Sequence, residues 1–287
     1  MRMAPLALGR REFLGIGAAA TMAVLARPSA VMAASLFPDV RQPHRNLDFL
    51  TDYCTPPRVV VVGEAGAINA LKARGINGVD FILADSAATG LANGVAAADI
   101  VIFIPGADSG TDSKLAGMAQ AAREMGTTTV GMVNEKLVRT DQDLQELEET
   151  LGTLVVVQNA SADEGAYWGV RSLIDPVTLP GLIGIDMSDI STVIGANGKG
   201  KMTTAVAHGN QRAAAATEAA MAGIVVKDVR RALVTITTGA DATQLEIDEV
   251  CNHVLDRVGP DADIVFGGPV DEMPVGNIRV SMLVIES

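Results

Sequence analysis

The segment Gly195-Ala196-Asn197-Gly198-Lys199-Gly200-Lys201-Met202 carries glycines and lysines spaced much as in a phosphate-cradling P-loop. A working P-loop needs a Ser or Thr after its lysine to ligate Mg²⁺, and a helix directly behind it. Met202 stands where the hydroxyl belongs, and the next residues read as a strand, so a flexible basic loop is expected here. Two other loops bear glycine, Gly63-Glu64-Ala65-Gly66-Ala67 and Gly106-Ala107-Asp108-Ser109-Gly110-Thr111-Asp112. Glycine lets a backbone approach a ligand closely, and each replacement adds bulk or restricts φ. Glu64, Asp108 and Asp112 could surround a hard cation such as Ca²⁺. Three solvated loop acids are the plainer reading, because exposed acids are common. Asp186 and Asp189 precede an apolar stretch at the spacing of a helix cap and a first-turn acid. His44, His208 and His253 lack ligand spacing, so no metal site is expected. Cys54 and Cys251 are too far apart for a zinc pattern and form no disulfide framework. Tyr167 and Trp168 are expected to pack in the core rather than to form a ligand platform.

These residues need a scaffold, and the hydrophobic pattern supplies one. Arg58 to Gly63 is an unbroken β-branched run, as in a buried parallel strand. Further strands are predicted at 78–83, 99–104, 128–133 and 154–157, with helices at 64–73 and 114–125 and an acidic helix marked by Leu144, Leu147 and Leu151. Strands alternating with helices imply right-handed crossovers and a doubly wound sheet. From Pro180 a second, α+β unit is expected, with strands at 203–208, 232–237, 264–266 and 278–285 and helices at 211–222 and 245–258.

Of the 287 residues 48% are hydrophobic but only 3% aromatic, so the core must be built from Ala, Val, Ile, Leu and Met. The net charge of -12 argues against nucleic acid and against an anionic membrane surface. The N-terminus, Gly9-Arg10-Arg11-Glu12-Phe13-Leu14 followed by an Ala-rich run and Ser29-Ala30-Val31-Met32-Ala33, reads as a secretory signal. Its paired arginines suggest the twin-arginine type, with Gly9 departing from the usual Ser or Thr. Cleavage after Ala33 would remove four arginines and one glutamate and leave a charge of -15. A periplasmic or otherwise exported protein is therefore expected. The alternative is a cytoplasmic protein whose N-terminus is a disordered tail or a retained anchor.

Several longer strings resemble the FtsZ/tubulin family. They are Pro180-Gly181-Leu182-Ile183-Gly184-Ile185-Asp186-Met187-Ser188-Asp189, Pro260-Asp261-Ala262-Asp263-Ile264-Val265-Phe266-Gly267 and Ile278-Arg279-Val280. In the first half Gly75 to Ile82 and Gly126 to Gly131 also resemble it. The resemblance implies an α/β fold, tubulin/FtsZ-like, with a Rossmann-like doubly wound N-terminal domain and an α+β C-terminal domain. On this reading residues 1–33 are the signal, 34–57 an extended arm and 58–165 a reduced nucleotide-binding-like domain. Residues 166–179 form a shortened central helix, and 180–287 the C-terminal domain.

Family members cradle GTP phosphates on glycine-rich loops and a helix N-terminus. By the resemblance, Gly63, Gly66, Gly106, Gly110 and Thr111 are vestigial members of those loops. Glu64, Asp108 and Asp112 would bring carboxylates towards phosphate. The stretch between Asn93 and Ala97 leaves no room for the family's γ-phosphate loop, and the central helix between Asn159 and Pro180 is curtailed. Asp186 and Asp189 match the acids that enter a neighbouring subunit's pocket to activate water, although Gly184 replaces the usual Asn. The family's linker and terminal peptide are not expected beyond Ser287. Two functions stay open. One is an exported protein with a degenerate site and no cofactor, acting by binding or by head-to-tail self-association. The other is a GTP- and Mg²⁺-binding, polymerising GTPase in which Asp186 and Asp189 are catalytic.

Overall fold

The computed structural model describes residues 56–286, apart from 77, 85–94, 96–97, 107–112, 139, 159–161 and 196–197. The expected signal, nearly all of the expected arm, His44, Cys54 and most of the stretch from Asn93 to Ala97 lie outside the described residues.

The apolar runs become five parallel strands, β1 (Val59–Gly63), β2 (Val79–Leu83), β3 (Ile100–Ile104), β4 (Thr128–Asn134) and β5 (Thr153–Val157), in the order β2-β1-β3-β4-β5. Each β1 valine is shielded on both faces, which explains a run without polar alternation. Val59 and Val61 face one core, shared with helices α1 (Ala65–Ala73), α4 (Ala162–Thr178) and α5 (Met187–Ile194). Val60 and Val62 face the other, covered by α2 (Ser113–Glu124) and α3 (Asp141–Leu151).

The remaining strands are β6 (Gly181–Ile183), β7 (Lys199–His208), β8 (Val229–Thr238), β9 (Asp263–Pro269) and β10 (Asn277–Glu286), with helices α6 (Arg212–Met221) and α7 (Gln244–Arg257) packed on one side. β10 lies antiparallel between β7 and β8, while β9 runs parallel to β8. The two halves share one ten-stranded sheet, because β7 also pairs with β5 in parallel from Leu154↔Lys199 to Val157↔Met202.

That pairing corrects the expectation of a basic loop before residue 203, since Lys199 to Met202 lie inside β7. The lysines are tolerated there because Lys201 Nζ meets Glu286 Oε1 at 2.7 Å and Lys199 Nζ lies 3.8 Å from Glu148. Gly200 permits the close strand approach, as a Cβ there would lie 2.8 Å from Ile285 Cδ1 and 2.9 Å from the Val284 carbonyl oxygen. The central helix α4 also differs from expectation. It has 17 residues and starts at Ala162 rather than Ala166, giving a rod of about 25 Å.

Helix α4 is fastened to the C-terminal half by a cluster of charges and rings. Arg171 Nε binds both Asp175 carboxylate oxygens at 3.0 and 2.7 Å, and its Nη2 reaches Asp271 Oδ2 at 2.9 Å. Arg171 Nη1 also donates to the Tyr167 hydroxyl at 3.0 Å. Tyr167 packs edge-on to Trp168, with Arg74 3.8 Å above the tyrosine ring and Arg279 of β10 3.6 Å above the indole. The two aromatics thus pack against the core as expected, and cations lie over both rings as well. Burial and the neighbouring Arg171 lower the Arg279 pKa to about 10. Burial also pushes the Cys251 thiol up to about 12, consistent with an unreactive core cysteine. Among the described residues no helix is long and apolar enough to cross a membrane, and no group of three His, Cys, Asp or Glu could hold a metal ion.

Candidate functional site

In the parallel half the chain moves outward from β1 to β2, then returns to place β3 on the other side of β1. Open α/β sheets bind ligands outside the carboxyl ends of their strands, at the point where the strand order reverses. A cleft of about 230 Å³ lies there. Glu64 comes from the β1–α1 junction, Gly66 from the first turn of α1, Pro105 and Gly106 from just after β3, and Asn134 from the end of β4. The floor is apolar, with Leu71, Ile104 and Met132 buried beneath it.

Two of the five residues expected in the phosphate loops, Gly66 and Gly106, line this cleft, and Gly63 stands next to it in the chain. Gly63 ends β1, where a Cβ would lie 3.0 Å from the Ile104 carbonyl oxygen, so a side chain would crowd the β1–β3 contact. Gly66 sits in the first turn of α1 with open space beside it. Gly106 faces Glu64, whose carboxyl carbon and both oxygens lie where a Cβ on Gly106 would be. Gly110 and Thr111 lie outside the described residues, as do Asp108 and Asp112. The first backbone N–H groups of α1 have no partners within the helix, and the helix dipole favours an anion beside them. Glu64 is the residue before that helix, yet its side chain makes no capping hydrogen bond to it.

Asn134 is a cleft residue that the sequence reading passed over. It is 5% exposed and lines the site, and its Oδ1 accepts the Lys136 N–H at 3.0 Å. A Cβ on Gly165 of α4 would collide with the Asn134 amide nitrogen, so this glycine makes room for it. The available signal was a lone amide directly after the apolar run from Val130 to Val133 of β4.

Asp186 and Asp189 are not at the cleft. Asp186 caps α5, its Oδ1 accepting the N–H groups of Ser188 at 2.8 Å and Asp189 at 3.1 Å. Asp189 Oδ2 in turn accepts the Asp186 N–H at 3.0 Å, completing a reciprocal capping box. Farther along α5, the Ser191 and Thr128 hydroxyls are 2.9 Å apart, and the Ile194 carbonyl accepts from Thr153 Oγ1 at 3.1 Å. Thr128 and Thr153 begin β4 and β5, so α5 sits at the amino ends of the strands whose carboxyl ends frame the cleft. The seven residues of β4 separate those ends by roughly 20 Å.

Residues 198–286 match the FtsZ family, C-terminal domain. The chain is 31% identical to the cell division protein FtsZ of Magnetospirillum gryphiswaldense over 79% of its own length and 54% of that protein. It is 30% identical to FtsZ of Caulobacter vibrioides, again over 79% of its length and over 59% of the relative. It thus spans about half the length of the curated relatives it matches. Among solved structures, an empty FtsZ dimer from M. jannaschii superposes with a TM-score of 0.72 at 21% identity, covering 83% of this chain and 90% of that one. A GTPγS-bound protofilament of CetZ2 from Haloferax volcanii gives 0.54 at 15% identity, covering 80% and 93%. With the strand order, the helices on both faces and these likenesses together, the chain is a protein of the FtsZ/tubulin family with that family's α/β fold.

Proposed function

We propose that this chain is an FtsZ-like protein that stacks head to tail and takes a guanine nucleotide in the cleft between β1 and β3. The observation that carries the reading is the polar separation of its two sets of functional residues. The glycine cleft lies at the carboxyl ends of the strands, and α5, the helix that Asp186 and Asp189 begin, is anchored through Ser191 and Ile194 at the amino ends of β4 and β5. Within one chain the acids stand outside the cleft, whereas a heterologous contact would bring the acids of one copy to the cleft of the next. The CetZ2 structure of similar fold is a GTPγS-bound protofilament. Mg²⁺ would accompany the nucleotide phosphates, and Asp186 and Asp189 would position the attacking water across the contact.

Asp186→Asn tests this role apart from folding. Asparagine caps helices about as well as aspartate, so stability should change by only a few tenths of a kcal/mol. GTP turnover in the assembled state should fall roughly 100-fold, the typical loss when a general base is removed. Asp186→Ala should lose both turnover and about 1 kcal/mol of stability from the cap. Unchanged turnover in Asp186→Asn would remove Asp186 from the mechanism.

A second reading is favoured by Glu64, whose carboxylate lies against Gly106 inside the cleft. Under it the chain self-associates without hydrolysis, as an exported protein directed by Arg10 and Arg11. Assembly that persists with no GTP turnover in the unsubstituted protein would select this reading.

A further inference from the structure

We propose that Glu64 is an internal competitor for the anion position of the cleft and thereby sets how strongly this chain takes a nucleotide. The proposal rests on the reading of the cleft as the nucleotide site. Helix α1 offers its N-terminal N–H groups at the mouth of the cleft, where a phosphate is favoured. The residue immediately before that helix is an acid, with an extended backbone at φ -68° and ψ 157°. Its side chain neither caps α1 nor turns away from the protein. It crosses from the exit of β1 to the exit of β3, where its carboxyl group fills the space that any Cβ on residue 106 would occupy. Only glycine at 106 leaves room for this placement, so the Glu64–Gly106 pair works as a unit.

A phosphate entering this site meets the negative charge of Glu64 and must displace or tolerate it. Like charges a few ångströms apart repel, and more strongly at a protein surface than in bulk water. Removing the carboxylate should therefore tighten phosphate binding by roughly 10- to 100-fold. Glu64→Gln keeps the volume without the charge and should recover most of the gain. Gly106→Ala, whose added methyl denies the carboxyl group that position, should relieve the competition and tighten binding as well. In a Glu64→Ala background the same methyl should have almost no effect, so the two sites should be strongly coupled.

The test is a titration of the full chain and these variants with fluorescent GTP and Mg²⁺, with circular dichroism confirming that each is folded. The expected result is a Kd for Glu64→Ala at least 10-fold below that of the unsubstituted chain, with Glu64→Gln close behind. Tight binding by the unsubstituted chain with no gain in Glu64→Ala would overturn the competitor role and leave the nucleotide reading standing. Weaker binding in Glu64→Ala, with loss of Mg²⁺ dependence, would overturn it in favour of a cation bridge from Glu64 to phosphate. No binding by any variant up to millimolar nucleotide would overturn both the competitor role and the nucleotide reading.

Discussion

Replacing Arg212 with methionine should cost about 3 kcal/mol of folding stability, the scale expected when one partner of a buried ion-pair network is removed. The Arg212 side chain is 6% exposed at the start of α6. Its Nη1 donates to Asp241 Oδ2 at 2.7 Å and its Nη2 to Glu246 Oε2 at 3.0 Å. The same Glu246 accepts the Thr243 N–H at 2.9 Å, so one guanidinium ties α6 to the capped start of α7. Asp241 Oδ2 also accepts the Gly276 N–H at 3.0 Å, just before β10. The hydrogen bond from Arg212 holds the Glu246 pKa at about 2 and lowers that of Asp241. Methionine keeps the bulk but leaves two acids facing each other. In urea the midpoint should fall by about 1 M with the slope unchanged. Because a lowered carboxylate stabilises the fold above its unfolded pKa, Glu246 contributes at neutral pH. That contribution is lost as pH falls from about 4.5 towards 2 in the unsubstituted protein. The variant should lack this acid loss.

The second large effect has the opposite sign and comes from Asp175. Burial raises its pKa to about 6 despite the hydrogen bonds from Arg171. Asp271 raises it further, while Arg279 lowers it. An acid whose folded pKa exceeds its unfolded value stabilises the fold most below the unfolded pKa and loses that contribution as pH rises through the folded one. The full swing is about 3 kcal/mol, about half of it between pH 5 and 7.5. Stability should therefore rise as pH falls from 7.5 to 5, then decline as Glu246 and Asp241 begin to protonate. Asp175→Asn should flatten the rise between pH 7.5 and 5 and leave the acid decline intact. A denaturation midpoint that is constant between pH 5 and 7.5 in the unsubstituted protein would show that Asp175 stays ionised.

Most strands were legible because each is a run of β-branched residues long enough to exclude alternatives, as with Val59–Gly63 and Ile100–Ile104. The helix cap at Asp186 was legible too, since an acid three residues ahead of another at an apolar run has few other uses. What failed depended on neighbours distant in sequence. Lys199 and Lys201 read as loop residues because the acids that accompany them, Glu148 and Glu286, are far away in the chain. The single continuous sheet was hidden for the same reason, as β5 and β7 are separated by α4, β6 and α5. At the cleft, the acid at 64 was visible in the sequence but its direction was not. Nothing local says that its carboxylate lies over Gly106. Asn134 and the Arg74–Tyr167–Trp168–Arg279 stack likewise become visible only when β4, α1, α4 and β10 are brought together.

The central claim is that copies of this chain stack head to tail with a guanine nucleotide between them. Sedimentation and light scattering of the full chain, with Mg²⁺ and with GTP, GDP or no nucleotide, address it directly. Polymers should pellet on addition of GTP and disperse as GTP is exhausted. A chain that remains monomeric in all three conditions would contradict it.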